Sequence, residues 1–400
     1  MDWQTPEDTV FASFVTEANA RSVAGKPPVT GAWREGDPPA ERRFAAVGPM
    51  TLERGGLLPS VRIAYETFGE LAADRGNAIL VAHALTGDSH ITGSAGPGQP
   101  TAGWWSGMVG PGLPLDTDRW FVVVPNMLGG CQGTTGPASH APDGAEWGSR
   151  FPFVTIRDQV AAQALLADVL GIERWAAVIG GSMGGMQALE WGVAHPERVA
   201  RLGVLAAPAF SNADQIAANS VQLEAVRMDA AFNGGDYYDQ DEGPFRGLAL
   251  ARRMALLGYR SATELNDRFE RSWQSGVSPL GNGGRYAVES YLDYHGNKFT
   301  RRFDANSYLR LVEAMSSHDV GRGRGGIAAA LRRVTPPTLV LGIDSDRLYP
   351  VPDQELIAAH VPGNIDGTVP TVISSPFGHD AFLIEVPLVG EHLRRLLEQH

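Results

Sequence analysis

Residues Ala177 to Trp191 read AVIGGSMGGMQALEW. A short apolar run, Ala176 to Ile179, ends in Gly180-Gly181-Ser182-Met183-Gly184-Gly185, and a helical pattern follows at once through Met186, Leu189, Glu190 and Trp191. Strand, tight Gly-rich turn, helix is the context that turns a G-x-S-x-G string into a nucleophile elbow. The geometry asks for these residue types. Ser182 must sit at a sharp bend with unusual backbone angles, and small neighbours let strand and helix pass closely. The bend lifts Oγ clear of the sheet and leaves the next N–H, that of Met183, free to face a developing oxyanion. The bland alternative is a plain Gly-rich turn, because the five-residue string alone is common.

The flanks share the same rhythm. Upstream, Thr155 opens a stretch with apolar residues at helical spacing (Val160, Ala164, Leu165, Val169) that Gly171 stops. Downstream, Val199 to Ala206 reads as the next strand. Ala78 to Ala82 (AILVA) and Phe121 to Val124 are apolar runs of buried-strand length, and Val61 to Phe68 alternates with period two. Strands alternating with helices from about 61 to 207 argue a mostly parallel sheet covered on both faces.

Two loops follow strand ends. His83-Ala84-Leu85-Thr86-Gly87 follows AILVA, in the slot that supplies the second oxyanion donor in such sheets, so the Leu85 N–H joins that of Met183. A polar turn with a structural His83 is the alternative. Asn126 to Pro137 carries four glycines and two threonines, and is either a plain loop or a backbone-lined pocket beside the nucleophile. Its Cys131 is a minor rival nucleophile that lacks the elbow. Trp104 and Trp105 sit in a Gly/Pro loop, either pinning it or walling an acyl-donor channel.

From about Ser211 to Gly326 there are helical patterns (212–228, 247–257, 305–316) and polar loops with no convincing strand, ending in the basic, flexible Arg322-Gly323-Arg324 exit. The parallel pattern resumes with Thr338 to Ile343. Residues 1–45, rich in Pro, Gly and charge, read as a flexible leader with little core to bury. The expected organisation is an α/β core over 46–210 and 327–400 with a helical lid inserted at 211–326.

Composition narrows the function classes. The chain has 400 residues, 43% hydrophobic and 20% charged, with a formal charge of −12. That balance disfavours nucleic acid and membrane surfaces as partners, though a local arginine cluster would still serve an anionic substrate. Cys131 is the only cysteine, so neither a disulfide framework nor a cysteine metal site is expected, and a reducing cytoplasm suits the chain. The acidic N-terminus reads as no signal peptide, and no apolar run approaches the ~20 residues of a membrane span.

A nucleophilic serine needs a base and the base an orienting carboxylate, in chain order Ser, Asp or Glu, His. The strand 338–343 runs into Asp344-Ser345-Asp346, and 371–374 runs toward Gly378-His379-Asp380. Both groups lie past C-terminal strand ends, where such sheets place their chemistry. His379 is the base. Asp346 lies farther into its loop than Asp344, which is suited to capping the turn.

The chain closely resembles the homoserine O-acetyltransferases of the α/β-hydrolase superfamily. The resemblance rests on HALTGDSH (83–90), AGWW (102–105), NMLGGCQGTTGPAS (126–139), FPFVTIRDQV (151–160) and GGSMGGMQALEW (180–191). It continues through LALARRMALLGYRS (248–261), GRYAVESYL (284–292), SHDVGRGRGG (317–326), SDRLYP (345–350) and GHDAFL (378–383). It implies an α/β-hydrolase fold with a helical lid, a homodimer made through that lid, and no metal or prosthetic group. It further implies Ser182, Asp346 and His379 as triad, and L-homoserine and acetyl-CoA as substrates. The substrate-binding arginine falls on Arg252 and the aspartate on Asp380.

Homoserine is a small zwitterion, so one cation and one anion suit it: Arg252 can fork its carboxylate and Asp380 meet its ammonium. Arg227 is a second candidate for the substrate or the donor's phosphates. Rival readings are a small-ester hydrolase, a silent binding protein of the same fold, and relatives that use succinyl-CoA or acylate serine. A succinyl donor would want an extra cation in the acyl pocket, and the 128–136 segment offers none, which favours acetyl.

Overall fold

A strand with no polar side chain must be covered on both faces, since successive residues point to opposite sides. The computed structural model describes residues 15–399, which open with a short helix, α1 (Glu17–Ser22). Among them the strands are β1 (Arg43–Thr51), β2 (Leu57–Phe68), β3 (Ala78–Ala82), β4 (Val109–Gly110), β5 (Leu115–Asp116), β6 (Phe121–Pro125), β7 (Ala177–Gly181), β8 (Leu202–Leu205), β9 (Thr338–Ile343) and β10 (Thr371–Ile373). Eight form one sheet in the order β1-β2-β6-β3-β7-β8-β9-β10, and β4 pairs with β5 apart from it. β1–β2 and β2–β6 are antiparallel; every pairing from β6 to β10 is parallel.

Two cores cover the two faces. Leu80, Val178, Val204 and Val340 belong to one, with Val160 and Leu166 of α2 (Ile156–Leu170) and Leu189 and Trp191 of α3 (Met183–Ala194). Their strand neighbours Ile79, Ile179, Leu205 and Leu341 belong to the other, with Val389, Leu393 and Leu396 of the C-terminal helix, Val386–Leu397. α2 starts where the sequence reading places it because Thr155 and Asp158 form a reciprocal capping box, and it stops where Gly171 turns left-handed at φ 67°.

Between β8 and β9 the described chain forms only helices and loops. These are α4 (Ala213–Arg227), α5 (Phe245–Tyr259), α6 (Ala262–Phe269), α7 (Ala287–Phe299), α8 (Ala305–Ser316) and the short α9 (Ile327–Leu331). A third core joins this segment to the strand ends: Leu85, Met183 and Met186 pack with Leu223, Leu248, Ala251, Phe299 and Tyr308. α6 and α7 were not separately resolved by the sequence pattern. On α7 only Ala287, Tyr291, Gly296 and Phe299 are buried, too sparse a stripe to stand out among Asp, His, Asn and Lys.

Two expectations of flexibility are corrected. Part of the leader is anchored: the Gly31 N–H donates to Phe303 O at 3.2 Å and the Trp33 N–H to Cys131 O at 2.9 Å. Thr30 Oγ1 donates to the buried Asp304 at 2.8 Å, and the Val23, Ala24 and Gly25 carbonyls accept from Arg301. Main-chain polar groups hold this stretch, which apolar content does not reveal. Residues 1–14 of the expected leader lie outside the described residues. The Arg322–Arg324 exit is also tied down, Arg322 to Glu53 at 3.0 Å and Arg324 to the buried Glu190 at 2.5 Å.

Candidate active site

The elbow is sharp. Ser182 has φ 58° and ψ −124°, a left-handed backbone that side-chain-bearing residues rarely adopt. Its N–H donates to Leu205 O at 2.9 Å, so β8 holds the bend. The glycines provide the close approach: a Cβ on Gly180 would fall 2.1 Å from Gly184 O, and one on Gly184 2.0 Å from Ala82 O. Met183 is the first residue of α3, and among the described residues neither its N–H nor that of Leu85 donates to a backbone acceptor.

The structure brings Asp346 and His379 together. His379 Nδ1 lies 2.7 Å from Asp346 Oδ2, while Oδ1 accepts from the Leu348 and Tyr349 N–H groups at 2.8 and 3.0 Å. Asp344 is turned to the Ser375 N–H at 3.1 Å and so caps the loop. The imidazole stands among Tyr349, Phe382 and Tyr259, with ring centroids 5.2, 5.6 and 5.8 Å away. Burial opposes its protonated form, but the charge and hydrogen bond of Asp346, with Asp380 behind, outweigh it and raise the pKa above the ordinary histidine value. Its Nε2 is buried without a partner. Ser182 and His379 line one cavity of about 180 Å³ with Leu85, Arg252 and Asp380; no hydrogen bond yet joins the serine to the ring.

Arg252 projects from α5. Its guanidinium lies over Tyr259 and Phe299 at 5.3 and 5.2 Å, and its Nη1 is buried without a hydrogen-bond partner. Arg253 faces away and pairs with Asp293 at 2.8 Å. Asp380 lies 3.3 Å from Arg260 Nε; burial raises its pKa, against the pull of Arg260, His379 and Arg252. Arg227 is not brought to the site. It ends α4, half-exposed, paired with Glu313 at 2.7 Å.

The loops sort differently from the sequence reading. Trp104 lines the Ser182 cavity. Trp105 is core, with Nε1 donating to Phe382 O at 3.1 Å. The Gly-rich 126–137 loop shapes a different cavity, of about 240 Å³, with Trp33 and Arg62. Cys131 lines that one, and burial pushes its thiol pKa upward, away from the reactive thiolate.

Arg302 and Tyr259 line the Ser182 cavity and were missed in the sequence. Arg302 is a cation that the acyl-pocket argument from 128–136 did not foresee. A neighbouring cavity of about 200 Å³ shares Arg252, Arg302 and Trp104 and adds Lys298 and His295. Among the described residues no cluster of three His, Cys, Asp or Glu side chains could hold a metal, and no helix is long and apolar enough to cross a membrane.

Residues 77–386 match the family described as alpha/beta hydrolase fold. A homoserine O-acetyltransferase of Clavibacter michiganensis subsp. michiganensis (strain NCPPB 382) is 72% identical over 386 residues, 96% of this chain and 99% of that protein. The solved homoserine O-acetyltransferase from Bacillus anthracis is similar with a TM-score of 0.81 at 26% identity, covering 90% of this chain and 97% of its own. Esterase E22 is similar with the same TM-score and identity, covering 90% and 100%. The chain therefore belongs to the α/β-hydrolase fold family. Within it, the chain is a member of the homoserine O-acetyltransferase family.

Proposed function

We propose that the chain moves the acetyl group of acetyl-CoA to the γ-hydroxyl of L-homoserine through an acetyl-Ser182 intermediate. It is an acyltransferase of methionine biosynthesis, with acetyl-CoA as co-substrate and no resident cofactor. The observation that carries the reading is the pairing of Arg252, with its unpartnered Nη1, and Asp380 on the wall of the cavity that holds Ser182. An esterase needs the triad alone; a zwitterionic acceptor needs this clamp as well.

His379 Nε2 takes the proton of Ser182 Oγ as the oxygen attacks the thioester carbonyl. The negative oxygen is met by the Leu85 and Met183 N–H groups, each worth on the order of 10²–10³ in rate. The C–S bond breaks, the proton passes to the CoA sulfur, and acetyl-Ser182 remains. The homoserine hydroxyl then gives its proton to His379 and attacks the acetyl carbonyl. Ser182 leaves and recovers the proton. Water competes, and the enzyme wins by orienting homoserine between Arg252 and Asp380. The helical segment 211–326 acts as lid, roofing the cavity through Arg252 and Tyr259.

Homodimerisation through the lid belongs to the same proposal. Ile216, Val221 and Met228 of the α4 region and Leu250 and Leu257 of α5 are exposed large apolar side chains on packed neighbouring helices. Light scattering at micromolar concentration should give twice the chain mass. The reading keeps the enzyme in the cytoplasm, with Cys131 as a free thiol.

Small-ester hydrolysis is the second reading, supported by the likeness to esterase E22. Mass spectrometry separates the two. Acetyl-CoA alone should leave an adduct of ~42 Da on the Ser182 peptide. Homoserine should discharge it to O-acetylhomoserine faster than water does. Equal discharge with and without homoserine would favour the esterase; an adduct from succinyl-CoA alone would change the donor.

A further inference from the structure

The oxyanion turn is held from outside by a chain of peptide groups that ends on a cation from the helical segment. Arg302 Nη1 donates to Thr86 O at 2.7 Å. The N–H of that same peptide group belongs to Gly87, and it donates to Ala84 O at 2.9 Å. The N–H of the Ala84–Leu85 peptide group is that of Leu85. In a trans peptide the N–H points opposite to the C=O, so a donor that pins Ala84 O aims the Leu85 N–H the other way.

A second donor converges on Ala84 O. His83 Nδ1 lies 2.8 Å from it. The Ala84 carbonyl can only accept, so the ring proton is on Nδ1 and His83 is the donor to Ala84; the other ring nitrogen accepts from the Met127 N–H at 3.1 Å, with the Asn126 side-chain amide 3.2 Å away. Burial lowers the His83 pKa, which keeps the ring neutral in this role.

Arg302 is itself anchored. Its carbonyl accepts from Gln132 Nε2 at 2.8 Å, and the same side-chain nitrogen donates to Gly31 O at 3.1 Å. The Phe303 carbonyl accepts from Gly31. Among the described residues no carboxylate lies within ion-pair distance of the Arg302 guanidinium, and Asp88 acts on it only as a nearby charge, so the guanidinium keeps its positive charge on the Thr86 carbonyl. Hydrogen bonds in series polarise one another, by roughly 10–30% per bond, and here the series runs from a full positive charge toward the Leu85 N–H.

We propose that Arg302 is a positioning residue for the oxyanion turn, acting through the Thr86–Gly87 and Ala84–Leu85 peptide groups to aim and strengthen the Leu85 N–H. This rests on the reading of Leu85 as an oxyanion donor. It makes the helical segment a contributor to both half-reactions: Arg252 serves the acceptor, and Arg302 serves the tetrahedral oxyanion whichever group is attacking.

The test uses p-nitrophenyl acetate, which carries neither carboxylate nor ammonium and so ignores the Arg252–Asp380 clamp. Stopped-flow release of p-nitrophenolate reads the acylation of Ser182. Arg302→Met should slow acylation about tenfold, a fraction of the effect of deleting an oxyanion donor outright, with the KM for the ester unchanged. Arg302→Lys, which keeps a charged donor, should recover most of the rate. Wild-type acylation by Arg302→Met, with only the homoserine KM raised, would overturn the proposal and make Arg302 a second carboxylate-binding residue. Lys as slow as Met, at a native melting temperature, would overturn it too. If Arg302→Met does not melt cooperatively, Arg302→Gln replaces it with the same criteria. A wild-type enzyme that forms no acetyl-Ser182 at all would refute the Ser182 reading instead, so the two failures are distinguishable.

Discussion

Asp346 and His379 share a 2.7 Å hydrogen bond between Oδ2 and Nδ1, and the other carboxylate oxygen is occupied by two backbone N–H groups. The carboxylate is therefore fixed before the histidine uses it, and the ring presents its unpartnered Nε2 to the serine cavity. Asp346→Asn keeps the shape but offers an NH2 where an acceptor stood, which favours the wrong tautomer. Turnover should fall on the order of 10⁴-fold with KM little changed. Asp344→Asn, at a side chain that only caps a turn, should change turnover less than about tenfold. Steady-state kinetics of the two variants, with melting curves to exclude misfolding, decides between the carboxylates.

The pH profile follows from the same ring. His379 must be neutral to act as base, and Asp346 and Asp380 raise its pKa. Activity is therefore lost as pH falls through a value above 6.5, the ordinary histidine pKa. Asp380→Asn removes one of the two charges that favour the protonated ring. The acid limb of the profile should move to lower pH, read on p-nitrophenyl acetate so that homoserine binding does not intervene. A limb that stays put, or moves up, would contradict the electrostatic account.

Much of this was legible in the sequence, for a reason that also explains the gaps. The strands Ala78–Ala82 and Thr338–Ile343 match the apolar runs residue for residue, because a parallel strand buried on both faces is a continuous apolar run bounded by turn residues. Ser182 and Asp346 follow such strands, and His379 follows the shorter, partly exposed edge strand β10, so chain order and strand ends are what single out the three residues proposed as the triad. Arg302 does not follow a strand. It lies beyond α7, a helix whose few buried residues leave no clear stripe, and its role depends on which backbone carbonyl happens to lie 2.7 Å away. The 23–42 stretch fails for a related reason: backbone hydrogen bonds carry its anchoring, and composition is blind to them.

Arg252 and Arg227 should separate cleanly. Arg252 keeps a buried Nη1 without a hydrogen-bond partner, an arrangement that a substrate carboxylate would complete. Arg252→Met removes a charge-assisted bond typically worth about 1.5–3 kcal/mol, so the KM for homoserine should rise roughly 10- to 150-fold. Acylation by acetyl-CoA without homoserine should change far less. Arg227→Ala breaks a half-exposed pair with Glu313 and should leave both half-reactions within about twofold, since such pairs contribute ~1 kcal/mol or less to stability alone. A homoserine KM that responds to Arg227 but not to Arg252 would reverse the assignment.

Acid stability should be set in part by His318, which does not line the Ser182 cavity. It is buried, with Nε2 3.2 Å from Pro208 O, and its pKa is lowered to about 3 by burial, which the Pro208 hydrogen bond opposes and the smaller effects of the Arg322, Arg157 and Arg324 charges reinforce. In the unfolded chain the same ring titrates near 6.5. Between those values the unfolded state binds a proton that the folded state refuses. Stability is therefore full above about 6.5 and falls as pH drops toward 3, by about 1.4 kcal/mol per pH unit for this one group. His318→Gln, whose amide Nε2 can keep a donor for Pro208 O and which does not titrate, should be modestly less stable at neutral pH and should flatten the decline by one proton. Urea melts at half-unit steps from pH 7 to 4 give the slope directly, and parallel slopes for variant and wild type would show that His318 takes up its proton without unfolding.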